Sequence, residues 1–190
     1  MHYGVHLCKA LSKVARLHLT GSLCNVRKIT KMKARHSTRR KGEPRFGVRR
    51  SPIHGRGVFA LTWIPNGVRL IEYKGERISH DEADERYSEL HPTTNHTMLF
   101  IVNDDVVIDA TRRGNSARWI NHSCSPNCEI IDEKDRIFIH SRRVIRPGQE
   151  LTYDYNLQIG EPHTEEAKRE NPCRCGSRKC RGTLLGEEEE

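Results

Sequence analysis

Two polar and aromatic runs in the second half of the chain hold the residues best suited to chemistry. The run WINHSCSPNC contains Asn121 and His122, and the later run ELTYDY contains Tyr153 and Tyr155. Neither run has the period of an amphipathic helix or the alternation of a half-buried strand. The amide of Asn121 and the imidazole of His122 could hold an amino group or an adenine edge. Each pair also has a purely structural explanation. Asn121 and His122 could bond the backbone of a loop, and Tyr153 and Tyr155 could pack on one face of a strand.

A glycine-flanked arginine lies just before a predicted strand, in the segment His54-Gly55-Arg56-Gly57. Glycine lets a ligand lie against bare backbone groups, and an arginine beside it could pair with a carboxylate. The segment is not a phosphate-binding loop, because no helix follows it and the spacing of that motif is absent. Taken alone, it is better explained as a tight turn.

Three cysteines near the C-terminus, Cys173, Cys175 and Cys180, have the spacing of metal ligands. The sequence shows no clean secretory signal, and close spacing without one favours a metal over disulfides. Because tetrahedral zinc takes four ligands, the fourth would come from Cys124 or Cys128, attaching the C-terminal segment to the WINHSCSPNC run. The alternatives are a zinc knuckle that binds nucleic acid and reduced, solvent-facing thiols.

Charge is unevenly distributed along the 190 residues. Residues 1–50 contain 14 Lys and Arg and one acid, Glu43, for a net charge of +13, whereas residues 51–190 carry −5. A basic arm over residues 1–46 suits nucleic-acid phosphates or an anionic surface, and solvated disorder fits it equally well. The mildly acidic remainder favours a basic peptide as substrate.

The sequence predicts an intracellular protein. No run of about 18 apolar residues indicates a membrane span. The arm is also compatible with an organelle presequence, since it is basic and has a loose apolar face formed by Leu7, Leu11, Val14 and Ala15. Met32 is a second candidate start. The expected location is the nucleus or chromosome in a eukaryote and the cytoplasm in a bacterium.

Short strands separated by turn signals dominate the pattern after residue 46. Prolines, glycines, asparagines and aspartates mark the turns between them. The predicted strands are Gly57–Ala60, Val68–Tyr73, Met98–Val102, Val106–Asp109, Glu129–Ile131, Arg136–His140 and Glu150–Tyr153.

One helix is well marked and a second is short. Ser79 and Glu82 form a capping box at the start of the first helix, and Pro92 ends it. Its apolar stripe consists of Ala83, Tyr87 and Leu90. The second helix is predicted over residues 115–120, after a positive φ at Gly114. The predicted fold class is therefore α+β, mainly β.

Taken in order, five segments resemble the SET-domain protein-lysine methyltransferases that carry a post-SET cysteine segment. They are HGRGVFA, EYKGE, IDATRRGNSARWINHSCSPNC, ELTYDY and CRCGSRKCRG, running from about Val48 to Gly182. Each segment alone is modest, but the ordered set is specific. No pre-SET cysteine cluster is visible, and residues 1–46 lie outside the resemblance.

The resemblance implies small β-sheets closed by a pseudoknot, in which the chain ending in ELTYDY crosses the NHSC segment. It divides the chain into a basic arm (1–46), a SET domain (47–158), a linker (159–171), a post-SET zinc motif (172–183) and an acidic tail (184–190). Asn121 and Tyr155 would then be close together, so a wide separation between them would contradict the resemblance.

The resemblance also implies the roles of individual residues. S-adenosylmethionine would be bound by His54, Gly55, Arg56, Gly57, Asn121, His122 and Arg174. Tyr155 would be the catalytic tyrosine, and Tyr153 would influence the number of methyl groups added, with a tyrosine there favouring monomethylation. One zinc ion would be held by Cys124, Cys173, Cys175 and Cys180, leaving Cys128 as a bystander.

One position departs from the family pattern. Many relatives carry a tyrosine eleven residues before the aspartate of the IDA segment, and counting back from Asp109 reaches Met98, next to Thr97. A thioether cannot donate the hydrogen bond that a phenol gives. Met98 is therefore a predicted cofactor position at which cofactor affinity or product specificity is altered.

The expected function is methyl transfer from S-adenosylmethionine to a lysine of a histone, histone-like or ribosomal protein, adding one or two methyl groups. The expected protein is a monomer with no membrane association, and residues 1–46 could contact nucleic acid. A catalytically weak SET module that binds peptide or nucleic acid is the second hypothesis, supported only by Met98. A DNA- or RNA-binding protein is the third.

Overall fold

Strands account for most of the regular structure. The computed structural model describes residues 7–8, 44–87, 98–159 and 162–187. The strands within these ranges are β1 (Leu7–Cys8), β2 (Phe46–Arg50), β3 (Arg56–Ala60), β4 (Arg69–Glu72), β5 (Glu76–Ile78), β6 (Leu99–Ile101), β7 (Val107–Asp109), β8 (Asn121–His122), β9 (Cys128–Asp132), β10 (Ile137–Ser141), β11 (Glu150–Tyr153) and β12 (Leu157–Gln158). All seven predicted strands are present, and no end is shifted by more than one residue.

The first helix, α1 (His80–Tyr87), begins as predicted. The Ser79 hydroxyl accepts a hydrogen bond from the Glu82 backbone N–H at 3.1 Å, which confirms that part of the capping box. The predicted C-terminal end, with Leu90 and Pro92, lies outside the described residues.

The second helical segment is a 3₁₀ helix rather than an α-helix. It spans Ser116–Trp119, and the Asn115 side chain caps it by accepting from the Ala117 N–H. The positive φ predicted for Gly114 is wrong, since Arg113 has the positive value, 54°. Gly114 is needed for space instead, because a Cβ there would lie 2.0 Å from the Ala110 carbonyl oxygen.

The strands form four small sheets, in the orders β2-β3-β11-β8, β4-β10-β9, β5-β7-β6 and β1-β12. Every pairing is antiparallel except β8 with β11, which is parallel. The main core takes buried residues from β3, β6, β7, β10 and β11. A smaller cluster packs α1 against the β5-β7-β6 sheet. The predicted α+β, mainly β class is confirmed.

The C-terminal segment packs on the body through backbone contacts. A short helix, α2 (Glu165–Glu170), lies within the predicted linker and is capped by Thr164. Beyond the predicted 172–183 motif, Leu185 is buried and forms a parallel bridge with Leu157. Within the described residues no helix is both long and apolar enough to span a bilayer.

Candidate active site

The two polar runs lie side by side. Strand β8 pairs with β11 in parallel, with Asn121 opposite Thr152 and His122 opposite Tyr153. The Ser123 backbone N–H continues this pairing by bonding the Tyr153 carbonyl at 3.1 Å. The predicted proximity of the NHSC and ELTYDY segments is therefore present, although some 30 residues of chain separate them.

Asn121 connects this pair of strands to the glycine-flanked arginine. Its side-chain amide is buried and lies 3.3 Å from the His54 carbonyl, 2.9 Å from the Arg56 carbonyl and 2.6 Å from a Glu150 carboxylate oxygen. An amide nitrogen has two hydrogens, so it serves two of these three acceptors at a time. The predicted cofactor residues of the two segments are thus brought together.

The space beside Gly57 is filled by the Glu150 side chain. A Cβ on Gly57 would lie 2.1 Å from the Glu150 carboxylate oxygen that Asn121 contacts. The other carboxylate oxygen accepts from the Ser51 hydroxyl at 2.9 Å. Gly57 therefore makes room for a carboxylate next to the predicted cofactor residues.

The His122 ring is held between a sulfur and a backbone amide. Its Nδ1 atom accepts from the Tyr155 backbone N–H at 3.1 Å, and its Nε2 atom lies 3.2 Å from the Cys124 sulfur. Burial lowers the pKa of His122 to about 4, and Asp154, 3.4 Å away, only partly opposes that effect. The ring is neutral at neutral pH, and both of its nitrogens are engaged within the protein.

The two predicted catalytic tyrosines are neighbours. The ring centroids of Tyr153 and Tyr155 are 5.0 Å apart, and the Tyr155 ring is 5.4 Å from the His122 ring in an edge-to-face arrangement. The Tyr155 hydroxyl donates to the Ile120 carbonyl at 3.0 Å. This arrangement provides an apolar, aromatic surface with a polar tip, suited to a side chain that ends in an amine.

Trp119 links the HGRG segment to the start of the NHSC run. The guanidinium carbons of Arg56 and Arg118 lie 4.9 Å and 4.8 Å from the centroid of its ring. Arg56 is exposed, so its guanidinium faces solvent where a ligand carboxylate could approach.

Four cysteines form a cluster suited to a metal ion. The sulfurs of Cys124, Cys173, Cys175 and Cys180 all lie within 4.8 Å of one another, and Cys124 and Cys173 are 3.6 Å apart. Tetrahedral zinc with Zn–S distances of about 2.3 Å requires sulfurs about 3.8 Å apart. The donor set therefore fits zinc. Cys128 is buried elsewhere in the core, as its predicted bystander status requires.

The cysteine sulfurs are in unequal environments. Burial raises the pKa of Cys173. Burial acts in the same direction on Cys175, but hydrogen bonds to its sulfur outweigh that effect and hold its pKa at about 6. A thiolate at neutral pH is the form that binds metals.

Two predicted cofactor residues lie apart from these contacts. Met98 packs against the main core, and its carbonyl accepts from the Tyr73 hydroxyl at 3.2 Å. Its neighbour Thr97 lies outside the described residues. Arg174 is exposed between two cysteines of the cluster.

Sequence reasoning missed four residues at the site. Asn127 is not among the predicted site residues, yet it is buried and bonds the backbone of β11. Glu150, Asp154 and Arg181 were passed over, although each contacts a predicted site residue. Asn127, Glu150 and Asp154 lie inside the two polar runs and Arg181 directly follows Cys180, and these positions were the available signal.

Comparison with known proteins agrees with this geometry. Residues 55–156 match the family described as "SET domain". The chain is 43% identical over 140 residues to "Histone-lysine N-methyltransferase, H3 lysine-4 specific" of Mycosarcoma maydis, covering 71% of this chain and 9% of that protein. It is 39% identical over 158 residues to "Histone-lysine N-methyltransferase 2B" of Homo sapiens, covering 80% of this chain and 6% of that protein.

A third relative is "Histone-lysine N-methyltransferase, H3 lysine-4 specific" of Schizosaccharomyces pombe, 41% identical over 150 residues, covering 76% of this chain. The match covers 15% of that protein. The chain thus spans only a small part of the length of these curated relatives.

Proposed function

The chain belongs to the SET-domain family, and on that premise we propose that it is a protein-lysine N-methyltransferase that uses S-adenosylmethionine. The observation that carries the proposal is the parallel pairing of Asn121 and His122 with Thr152 and Tyr153. Through this pairing, two of the predicted cofactor residues, Asn121 and His122, lie one strand spacing from the strand that carries Tyr153.

The chemistry requires a neutral amine. S-adenosylmethionine supplies the methyl group on a sulfonium. A lysine amine has a pKa of about 10.4, so holding it neutral at pH 7 costs about 4.6 kcal/mol. Burial against the rings of Tyr153 and Tyr155 would lower that cost, because removal from water depresses the pKa of a lysine. The Tyr155 hydroxyl would orient the amine. Alignment of the amine, the methyl group and the sulfur would supply the remaining rate acceleration.

The groups around Asn121 fit the polar parts of the cofactor. The carbonyls of His54 and Arg56 and the carboxylate of Glu150 could accept from an ammonium, and the exposed Arg56 guanidinium could pair with a carboxylate. Among the described residues, no heavy atom other than those of its chain neighbours lies within 4 Å of a Cβ placed on Gly55, which leaves open space beside that backbone. We propose that cofactor is held by His54, Gly55, Arg56, Gly57, Met98, Asn121, His122 and Arg174. Because both ring nitrogens of His122 are engaged, this residue would contribute its backbone.

We propose that the four-cysteine cluster holds one zinc ion with a structural role. All four ligand positions would be filled by sulfur, which is the composition of closed structural sites. Zinc would then fix the C-terminal segment against the NHSC run, because Cys124 lies in that run and the other three ligands lie near the C-terminus.

The proposed substrate is histone H3 at lysine 4, because two relatives carry that specificity in their names. A histone substrate would place the protein on the chromosome. We also propose that the protein acts as a monomer and that residues 1–46 contact nucleic acid through their positive charge. Deletion of residues 1–46 should then abolish salt-sensitive DNA binding and leave methylation of a free peptide intact.

The proposed product is mono- or dimethyl-lysine. Tyr153 is buried next to Tyr155, so its hydroxyl would restrict the space around the amine. Tyr153→Phe should therefore shift the product towards more methyl groups, as measured by mass spectrometry of the peptide. An unchanged methyl count would remove Tyr153 from this role.

The proposed activity is tested by methyl transfer to recombinant histones, with mass spectrometry of the products. Two controls are matched to the proposal: the Tyr155→Phe variant, and histone H3 in which lysine 4 is replaced by arginine. Transfer to H3 that is lost in both controls supports the proposal. Transfer that persists on the substituted histone indicates another target lysine, and peptide binding without transfer indicates a non-catalytic module.

A further inference from the structure

Four residues, His122, Cys124, Arg181 and Asp154, form a closed ring of contacts between the cysteine cluster and the tyrosine strand. On one side, His122 Nδ1 accepts from the Tyr155 N–H, so the single hydrogen of the neutral ring lies on Nε2. That hydrogen points to the Cys124 sulfur, 3.2 Å away. The imidazole therefore connects a proposed metal ligand directly to the backbone of the proposed catalytic residue.

The other side of the ring passes through Arg181. Its guanidinium donates two hydrogen bonds to the Asp154 carboxylate, at 2.6 and 2.7 Å, and its backbone N–H points to the Cys124 sulfur at 3.5 Å. Asp154 is the residue between Tyr153 and Tyr155. The residues that follow β11 are thus contacted on one side by His122 of the WINHSCSPNC run and on the other by Arg181 of the C-terminal segment.

We propose that Arg181, acting through Asp154, is a positioning residue for Tyr155 and couples the closed cysteine cluster to the geometry of the methyl-transfer site. The inference rests on the function proposed above. A paired, bidentate contact fixes both distance and orientation, which a single flexible charge does not. A displacement of about 1 Å at the reacting groups can slow a reaction about 100-fold, so such a contact can control rate.

The solvent exposure of the Arg181–Asp154 ion pair makes it possible to distinguish a positioning role from a purely stabilising one. The side chains of Arg181 and Asp154 are 31% and 34% exposed. Ion pairs with this much solvent contact add little to global stability. A loss of turnover without a matching loss of thermal stability is therefore the signature that distinguishes the two roles.

The experiment compares Arg181→Gln, Asp154→Asn, the double variant and Arg181→Lys in the full chain. Arg178→Gln is the matched control, since Arg178 is an exposed arginine of the same segment. Steady-state methyl transfer to an H3 peptide gives kcat and KM, and thermal unfolding gives Tm.

We expect both single variants to lower kcat about 10- to 100-fold with peptide KM nearly unchanged. The double variant should be no slower than the slower single variant, because the two side chains act as one unit. Arg181→Lys should retain an intermediate rate, and Tm should fall by no more than about 3 °C in any of them. Unchanged kcat, a change confined to KM, or single losses that multiply in the double variant would overturn the inference.

Zinc release to a chelator gives a second readout that does not depend on catalysis. Within the described contacts, Asp154 reaches the cysteines only through His122 and Arg181. Asp154→Asn should still speed zinc release about tenfold, because loss of a supporting residue outside the ligand shell commonly weakens metal binding by about that factor. Arg178→Gln should leave the release rate unchanged. Equal release rates would contradict the coupling. If the intact protein transfers no methyl group, the proposed function fails and the release rates alone decide the coupling.

Discussion

The Asn127 side chain lies against the Thr152 backbone and makes the hydrogen bonds to β11 that a neighbouring strand would make. The Asn127 side-chain carbonyl accepts from the Thr152 backbone N–H at 2.9 Å, and its amide donates to the Glu150 carbonyl at 2.7 Å. Both groups belong to β11, and Asn127 is only 6% exposed. One side chain from the NHSC run thus satisfies two backbone groups of the strand that carries Tyr153.

Asn127→Ala should destabilise the protein by about 3 kcal/mol, because it leaves a buried N–H and a buried C=O without partners. Chemical denaturation would measure the loss. Asn66→Ala is the control, since Asn66 is exposed in a turn and its substitution should be nearly neutral. A loss at Asn127 no larger than that at Asn66 would show that water replaces both bonds.

Metal analysis should find about one zinc per chain. Cys124→Ser should lower that content, because it removes one of four sulfurs that lie together. Cys128→Ser should leave it unchanged, since Cys128 is buried outside the cluster and burial raises its pKa to about 12. Full zinc occupancy in Cys124→Ser would exclude this set of ligands.

The ionised Asp109 carboxylate should stabilise the protein at neutral pH but not at strongly acidic pH. Burial acts to raise its pKa, but hydrogen bonds from Thr111, Tyr87 and Arg86 outweigh that effect and the pKa is lowered. A carboxyl group with a lowered pKa in the folded state stabilises the protein above its unfolded pKa, about 3.9. That contribution is lost as the pH falls through the lower, folded-state pKa.

Asp109→Asn should therefore lower the free energy of unfolding by about 3 kcal/mol at neutral pH, because Arg86 loses a buried partner. The difference from the unsubstituted protein should shrink below about pH 4. Asp104→Asn, at an exposed position, serves as the control. A difference that stays constant from pH 7 to about pH 2 would show that packing, rather than charge, is responsible.

Gly114→Ala should be poorly tolerated, because its Cβ would overlap the Ala110 carbonyl and displace the start of the 3₁₀ helix. A loss of about 3 kcal/mol in thermal or chemical unfolding is expected. At Gly47 the nearest described atoms to a Cβ belong to the flexible Leu61 side chain, at 3.5 Å, so Gly47→Ala should be near neutral. Similar values for the two variants would mean that the backbone at Gly114 adjusts freely.

The sequence alone was enough to predict most strands, the start of α1 and the three closely spaced cysteines near the C-terminus. These features depend on neighbours in the chain: alternation and turn residues delimit strands, and Ser79 bonds an N–H three residues away. The ordered motifs then indicated the family, and that resemblance predicted Cys124 as the fourth ligand and Tyr153 and Tyr155 as the tyrosines at the site.

The tertiary structure decided the contacts that no local pattern specifies. The Glu150 carboxylate beside Gly57, Asn127 on the backbone of β11 and Arg181 on Asp154 all join residues more than 20 positions apart. Such pairs form only when distant parts of the chain meet, so neither partner carries a local signal of the other. The sequence supplied the chemical groups, and the parallel pairing of two distant strands determined which of them lie together.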